Sequence, residues 1–384
     1  MQQLTRTFFY STSDIASERW GLTRCVLFQD YDGTTYEVDT PLASNVDYGQ
    51  IATDLEVPNY VNRSNFHIER GLVTVWAGLN ANRMEELFPG KATQRLAKEP
   101  IPVLFFGGAA VRMLCPSANE PSSPFFRELN DIDLIAPKNR AQDLYKLLLA
   151  LGDVCGTRYY YFVSRSDRRF NAMRAGKRYR VRTIERILED GALKSGVLDI
   201  FTDAIDLRHK VDVRETFDAY EDNSYTIGVD NVLLTKCQYI FDLPASAREE
   251  MVRQRLDYRI LPYPDYRTDR LLIGIEEKDM RDLCALFLDH EIGEGRNDIN
   301  LLKLRRILER DRKFALTFRL NLENILRNEN TLREIGVPSQ DITRIFARIH
   351  SVLDATPKIE KRWNNPWWNV DVETPQIFGK TSEI

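Results

Sequence analysis

An unbroken apolar run, Val103-Leu104-Phe105-Phe106, stops at a glycine pair, Gly107-Gly108, and this junction constrains the chain more than any other stretch. Such a short apolar run ending in glycines fits a strand. The two residues without Cβ then let the backbone turn tightly and expose its N–H groups at the strand end. Ala109 to Leu114 reads as the start of a helix. Downstream, Asp131-Ile132-Asp133-Leu134-Ile135 alternates with the period of a strand, Ala141 to Leu151 is amphipathic with the period of a helix, and Gly196 to Phe201 (GVLDIF) is a further strand. Pro116 to Pro124 (PSANEPSSP) lies between the glycines and the second strand, and its Pro and Ser content marks a loop or insertion. Helices and strands in alternation predict a layered domain of both types rather than a sandwich.

The flanks differ in character. Residues 1–83 carry short strand-like runs (Arg24 to Phe28, Thr35 to Val38, Leu72 to Ala77) broken by Asp-Gly, Asn and Pro, and read as a β-rich module or an elaboration of the next domain. Thr12-Ser13-Asp14 can open a short helix, and Met84 to Ala97 has helical spacing despite Pro89-Gly90. Beyond residue 228 the pattern predicts a helical bundle, with helices over Asp230 to Tyr239, Ala247 to Tyr258, Glu277 to Leu288, Asn297 to Arg310, Leu320 to Arg327 and Ile342 to Leu353. The expected organisation is therefore 1–83, 84–227 and 228–384. Near the end, Trp363, Trp367 and Trp368 flank Pro366, marking either a tail pinned on its own fold or a contact for a partner or a second copy.

Composition removes several classes of function. Against 57 acidic residues stand 53 Lys and Arg, for a formal charge of -4, so no chain-wide field holds a nucleic-acid backbone. The apolar runs at 102–110 and 144–151 are too short to cross a membrane, and no cationic start leads into an apolar signal region, so a cytoplasmic protein is expected. The five cysteines are scattered, as expected for reduced, mostly buried thiols, and the four histidines (His67, His209, His290, His350) form no close ligand set. This lowers chemistry that needs histidine, leaves chemistry based on carboxylates and magnesium untouched, and directs the search toward Asp and Glu.

Asp131 and Asp133, two apart on a strand, project from one face, and Asp199 on a neighbouring strand completes an oxygen-rich set for hard cations. Taken alone, D-x-D also suits a solvated surface strand, Gly107-Gly108 an ordinary turn, and Asp199 a solvated or capping carboxylate with Asp203 and Asp206 as alternative acids nearby. The combination of FFGGAAVRML (Phe105 to Leu114), RELNDIDLI (Arg127 to Ile135) and LDIF (Leu198 to Phe201) resembles the nucleotidyltransferase superfamily typified by the catalytic domain of DNA polymerase beta, closest to its toxin-like and antibiotic-modifying members.

That resemblance spans approximately residues 84–290 and implies an α+β fold: a mixed-sheet nucleotidyltransferase-like core between the β-rich N-terminal module and the C-terminal bundle. It implies Gly107 and Gly108 against nucleotide phosphates, Asp131, Asp133 and Asp199 as catalytic metal ligands, and Lys236, within Leu233-Leu234-Thr235-Lys236, approaching the triphosphate. Arg127 is a candidate for neutralising carboxylate or phosphate charge, or belongs to a surface ion pair. Lys278 and Asp279, in EKDMRDL, belong to a helix that follows the catalytic sheet in those members or only tie the bundle together. The implied cofactors are Mg2+ or Mn2+, with a nucleoside triphosphate, ATP or another, as co-substrate. The implied reaction transfers a nucleoside monophosphate to a hydroxyl with release of pyrophosphate. The gap between Gly108 and Asp131 is longer than in the shortest members.

The acceptor is suggested by residues 158–182, RYYYFVSRSDRRFNAMRAGKRYRVR, where a single acid, Asp167, sits among many basic and aromatic residues. Positive charge interleaved with aromatic platforms suits RNA, tRNA or another anionic acceptor, with Arg165, Arg169, Arg174, Lys177 and Arg178 as candidate contacts. A basic hairpin balancing acids elsewhere is the plain alternative. A protein hydroxyl, an antibiotic or a small metabolite are rival acceptors, and a noncatalytic nucleotide-binding scaffold is the rival from another class.

Overall fold

The computed structural model describes residues 9–11, 22–29, 35–41 and most of 103–370; within that last stretch 128, 130–131, 152–158, 163–164, 186–194, 219–225, 254–257, 296 and 360–361 lie outside the description. The chain is a mixed α/β protein with several sheets interspersed with helices and a helical stretch toward its C-terminus. It divides into two compact units. One comprises Met1–Ala109, Glu128–Ala204 and Phe217–Tyr225; the other comprises Ala110–Arg127, Ile205–Thr216 and Thr226–Ile384.

Within the first unit, β1 (Phe9–Ser11), β2 (Leu22–Gln29) and β3 (Thr35–Pro41) form an antiparallel sheet, in keeping with the strands expected near Arg24 and Thr35. The expected strand at Leu72 to Ala77 and the helices at Thr12 and Met84 to Ala97 lie outside the described residues.

The larger sheet of this unit begins with β4 (Leu104–Phe106), wholly buried, which runs straight into α1 (Gly107–Leu114); from Ala110 the chain belongs to the second unit, which holds the one-turn α2 (Pro116–Asn119). The Pro/Ser segment is therefore partly helical: proline suits a first helical turn, and Asp289 accepts from both the Ser117 backbone N–H (2.8 Å) and its hydroxyl (2.7 Å). The chain continues through β5 (Ile132–Ala136), α3 (Lys138–Leu151), β6 (Tyr159–Phe162), α4 (Arg165–Met173), β7 (Arg178–Glu185) and β8 (Ser195–Thr202). β4 pairs antiparallel with β5, β5 parallel with β8, β8 antiparallel with β7, and β7 antiparallel with β6. The parallel β5–β8 pair requires a crossover, supplied by the chain from α3 to β7. Leu134, Ile200, Val181 and Phe105 have no exposed surface, because neighbouring strands direct apolar side chains to both faces.

Helix α3 starts before the apolar period begins because Lys138 N–H donates to Asp203 Oδ1 at 2.8 Å. Asp203 holds a left-handed backbone (φ 56°) immediately after β8. One of the alternative acids near Asp199 is thus a capping group.

Strand β9 (Ala204–Asp206) begins in the first unit, where Ala204 pairs with Thr202, and continues into the second, which holds β10 (Lys210–Asp212), the start of α5 (Arg214–Asp218), α6 (Val229–Lys236), β11 (Phe241–Pro244), α7 (Ala247–Arg253), β12 (Tyr258–Ile260) and β13 (Arg270–Glu276). Helices α8 (Glu277–Asp289), α9 (Leu301–Arg310), α10 (Arg312–Arg327), α11 (Glu329–Glu334) and α12 (Ser339–Ala355) follow. The bundle expected beyond residue 228 is interrupted by an antiparallel sheet in the order β11-β13-β12, and Tyr258, expected at the end of a helix, instead opens strand β12. Strand β13 carries a continuous apolar run because both faces are covered. Leu272 joins a cluster with Leu316, Leu320, Trp367 and Trp368, while Leu271 and Ile273 join Phe241, Leu243 and Met251.

Buried Asn321 on α10 holds this sheet in place. Its Oδ1 accepts from Ile275 N–H (3.1 Å), and its Nδ2 donates to the carbonyls of Cys237 (3.0 Å) and Tyr239 (2.9 Å). Trp367 and Trp368 pack among Tyr263, Tyr266 and each other, and Trp367 Nε1 donates to Thr317 Oγ1 at 2.9 Å, so these two rings dock on their own unit.

Candidate functional site

The register of the larger sheet assembles a row of side chains at one level. Phe106 on β4 is paired with Asp133 on β5, Asp133 with Asp199 on β8, and Asp199 with Arg180 on β7. Residues paired across neighbouring strands share a face, so the two expected carboxylates stand side by side with an arginine beyond them. One step along, Ile135, Phe201 and Arg178 make a second row. Phe106 and Phe201 meet edge to face at 5.0 Å, closing the apolar end of the patch.

Gly107 follows Phe106 directly and has φ +65°, the left-handed region that disfavours side chains. A Cβ placed there would overlap Asp133 Oδ2. The glycine is thus fixed twice, by the turn it makes and by the carboxylate packed against it. Gly108 occupies the next position, in the first turn of α1, where backbone N–H groups lack intrahelical acceptors.

Asp199 is only 5% exposed. Arg180 grips it in a forked contact, Nε to Oδ1 at 2.9 Å and Nη2 to Oδ2 at 3.1 Å, while Arg178 Nη2 makes a further short contact to Oδ2. Burial acts to raise the Asp199 pKa, and the two arginines outweigh it, holding the group below its ordinary value. Phe170 lies under both guanidiniums, 4.4 Å from Arg180 and 5.2 Å from Arg178, and Phe201 is 4.6 Å from Arg178. Asn171 adds a clamp on the strand, its Oδ1 accepting from Arg180 N–H at 2.6 Å and its Nδ2 donating to Arg180 O at 3.0 Å.

Asp131 lies outside the described residues. Of the other expected contacts in the basic segment, Arg165 opens α4 with its side chain undescribed, Arg169 and Lys177 are exposed, Arg174 is half-buried, and Arg178 is committed to Asp199. Arg180 was not singled out by residue type. Its signal is the alternation in Arg178-Tyr179-Arg180, which on a strand puts both arginines on one face.

Arg127 and Lys236 occur in the second unit, brought together by Asp282. Arg127 donates to it from Nε (2.9 Å) and Nη2 (2.7 Å), and Lys236 Nζ lies 2.7 Å from Asp282 Oδ2 and 2.9 Å from Asp279 Oδ1. Burial works against the Asp282 charge, yet Lys236 and Arg127 bring its pKa down to about 2; the same acids push Lys236 above its usual value despite burial. Lys278 instead pairs with Glu276 at the surface.

Several other reactive groups among the described residues are buried in the core. Cys115, Cys237 and Cys284 are free and buried, with burial raising each thiol pKa. His209 stacks on Phe314, lies 2.8 Å from Thr317 Oγ1, and is lowered to about 4 by burial. Among the described residues no group of three or more His, Cys, Asp or Glu is placed to hold a metal ion, and no helix is long and apolar enough to cross a membrane. The pair Asp133 and Asp199 nevertheless fits a hard divalent cation in donor chemistry: two carboxylates in register on one face, beside a glycine cradle that a Cβ would fill. No protein-family model matches the chain, and no curated protein matches it in sequence.

Proposed function

We propose that this protein is a divalent-metal-dependent nucleotidyltransferase, which moves a nucleoside monophosphate from a nucleoside triphosphate to a hydroxyl acceptor. One observation carries the reading: Asp133 and Asp199 are in register on adjacent parallel strands, directly beside a left-handed Gly107 that opens a helix. The cation, Mg2+ or Mn2+, would be held by Asp133 and Asp199 with Asp131, and would supply charge neutralisation at the phosphates and a lowered proton affinity at the acceptor hydroxyl. Gly107 and Gly108 would admit phosphate oxygens to backbone N–H donors at the start of α1. The acceptor oxygen forms a bond to the α-phosphorus while the bond from that phosphorus to the bridging oxygen breaks. Pyrophosphate leaves with the electron pair, and the acceptor proton passes to solvent or a carboxylate. Basic residues of α4 and the turn into β7, Arg169, Arg174 and Lys177, favour an anionic acceptor such as RNA or tRNA over a cationic antibiotic.

A noncatalytic nucleotide-binding scaffold is the second reading, favoured by one observation: both oxygens of Asp199 are already paired with guanidinium groups. A single experiment separates the two. The full chain is incubated with Mg2+ or Mn2+, each α-labelled nucleoside triphosphate and a cell extract, and the label is followed into RNA, protein and small molecules. Transfer abolished by Asp133→Asn supports the enzyme. Absence of transfer with every nucleotide and either cation, in a protein that binds nucleotide, supports the scaffold.

A further inference from the structure

The arginine pair on β7 bears directly on how the acid site takes its cation. Arg178 and Arg180 both lie on the Asp199 side of β7, are flanked by aromatic rings, and together occupy both Asp199 oxygens. Their side chains are mostly buried, 16% and 20% exposed, so the contacts are not loose surface pairs. Arg178 also keeps spare hydrogen-bonding capacity: its buried Nε has no partner among the described residues. An arginine with an unused donor, held against a carboxylate that it shares with a second arginine, is poised to exchange one acceptor for another.

We infer that Arg178 and Arg180 are resident counter-charges of Asp199, that a divalent cation competes with them for its carboxylate and gains Oδ2 by displacing Arg178, and that the displaced Arg178 then serves a phosphate oxygen. This rests on the nucleotidyltransferase reading of the acid pair and adds to it two residues that set cation affinity. In the resting site Asp199 carries two positive groups, so the cation meets both competition for oxygen lone pairs and direct repulsion. Weak cation binding until a phosphate anion arrives to receive the arginine is the consequence, which couples metal and polyphosphate occupancy.

The test is Mn2+ binding to the full chain, measured by electron paramagnetic resonance of free Mn2+, for wild type, Arg178→Gln and Arg180→Gln. Loss of one unit charge within a few ångströms of the cation predicts about ten-fold tighter Mn2+ binding in either variant. Unchanged or weaker binding in both folded variants, with wild type binding Mn2+, overturns the inference and leaves the nucleotidyltransferase reading standing. No Mn2+ binding by any of the three proteins, either alone or with inorganic pyrophosphate present and beyond what the pyrophosphate itself takes up, overturns that reading itself, and the inference with it. A measurement on wild type guards against glutamine variants that fail to fold: with 15N-labelled arginine, saturating Mg2+ is expected to shift the Nε–H resonances of Arg178 and Arg180, assigned by the loss of one signal each in the charge-keeping Arg178→Lys and Arg180→Lys. Resonances unmoved when Mg2+ is bound contradict displacement.

Discussion

Replacing Asp282 by Asn tests whether the buried ion cluster of the second unit is held together by charge balance. Asp282 is the common partner of Arg127 and Lys236, with contacts of 2.9, 2.7 and 2.7 Å, and its side chain is 3% exposed. Asparagine keeps the volume but removes the acid that Arg127 and Lys236 share, leaving Lys236 with Asp279. Removing one member of a buried ion pair costs about 3–5 kcal/mol, and the forked Arg127 contact puts this case in the upper part of that range. Urea unfolding followed by tryptophan fluorescence is the assay, since Trp367 and Trp368 are buried in the same unit. Lys236→Met combined with Asp282→Asn removes a cation together with its partner, so the double variant is expected to lose at least ~1 kcal/mol less than the sum of the singles. Acid gives an independent check. Asp282 is depressed from 3.8 to about 2, so its contribution, about 2 kcal/mol at ~1.4 kcal/mol per unit, is complete above pH 4 and is lost as pH falls toward 2. A cost below ~1 kcal/mol for the single variant, or strict additivity of the pair, would refute charge balance as the reason for the cluster.

Other consequences follow from individual contacts. Gly107→Ala forces a side chain into a left-handed turn and against Asp133, so a stability loss of at least ~1–2 kcal/mol in thermal unfolding is expected, along with loss of nucleotide transfer; a variant of wild-type stability would contradict the packing described. Asn321→Ala strands Ile275 N–H and the Cys237 and Tyr239 carbonyls, predicting a loss of about 2–5 kcal/mol by urea midpoint. His209, lowered from 6.5 to about 4 by burial, is kept neutral in the folded chain. Its contribution is complete above pH 6.5 and falls away as pH drops toward 4, because only the unfolded chain takes up the proton there. His209→Phe should flatten the pH dependence of stability over that window, and an unaltered slope would show that other groups produce it.

How much of this was legible in the residues depends on whether local pattern or distant partner set each feature. Strand β4, the glycine turn and strands β5 and β8 follow from apolar runs and a period of two, and those signals are local. The start of α3 depends on Asp203, 65 positions away, and no local pattern announces that. β13 was missed because burial on both faces erases the alternation that marks a strand, leaving a run indistinguishable from the helices around it. The carboxylates Asp133 and Asp199 were legible as residue types, while their side-by-side register needed the parallel pairing. The role of Arg180 was hidden for another reason: the basic segment invited a reading in terms of an outside ligand, whereas the strand turns two of its arginines inward onto Asp199. Arg127 and Lys236 were visible as cations, and only the fold supplies Asp282 between them.

The central claim is that the acid pair beside Gly107 supports transfer from a nucleoside triphosphate. Pyrophosphate release is the most direct measurement, made on the purified chain with each of the common nucleoside triphosphates, Mg2+ or Mn2+, and an RNA or extract acceptor, comparing wild type with Asp133→Asn and Asp199→Asn. The account predicts acceptor-dependent release by wild type with at least one nucleotide, and its loss in both variants while their circular dichroism is unchanged. Release at wild-type rate from either folded variant, or none from wild type with any nucleotide and either cation, would contradict it.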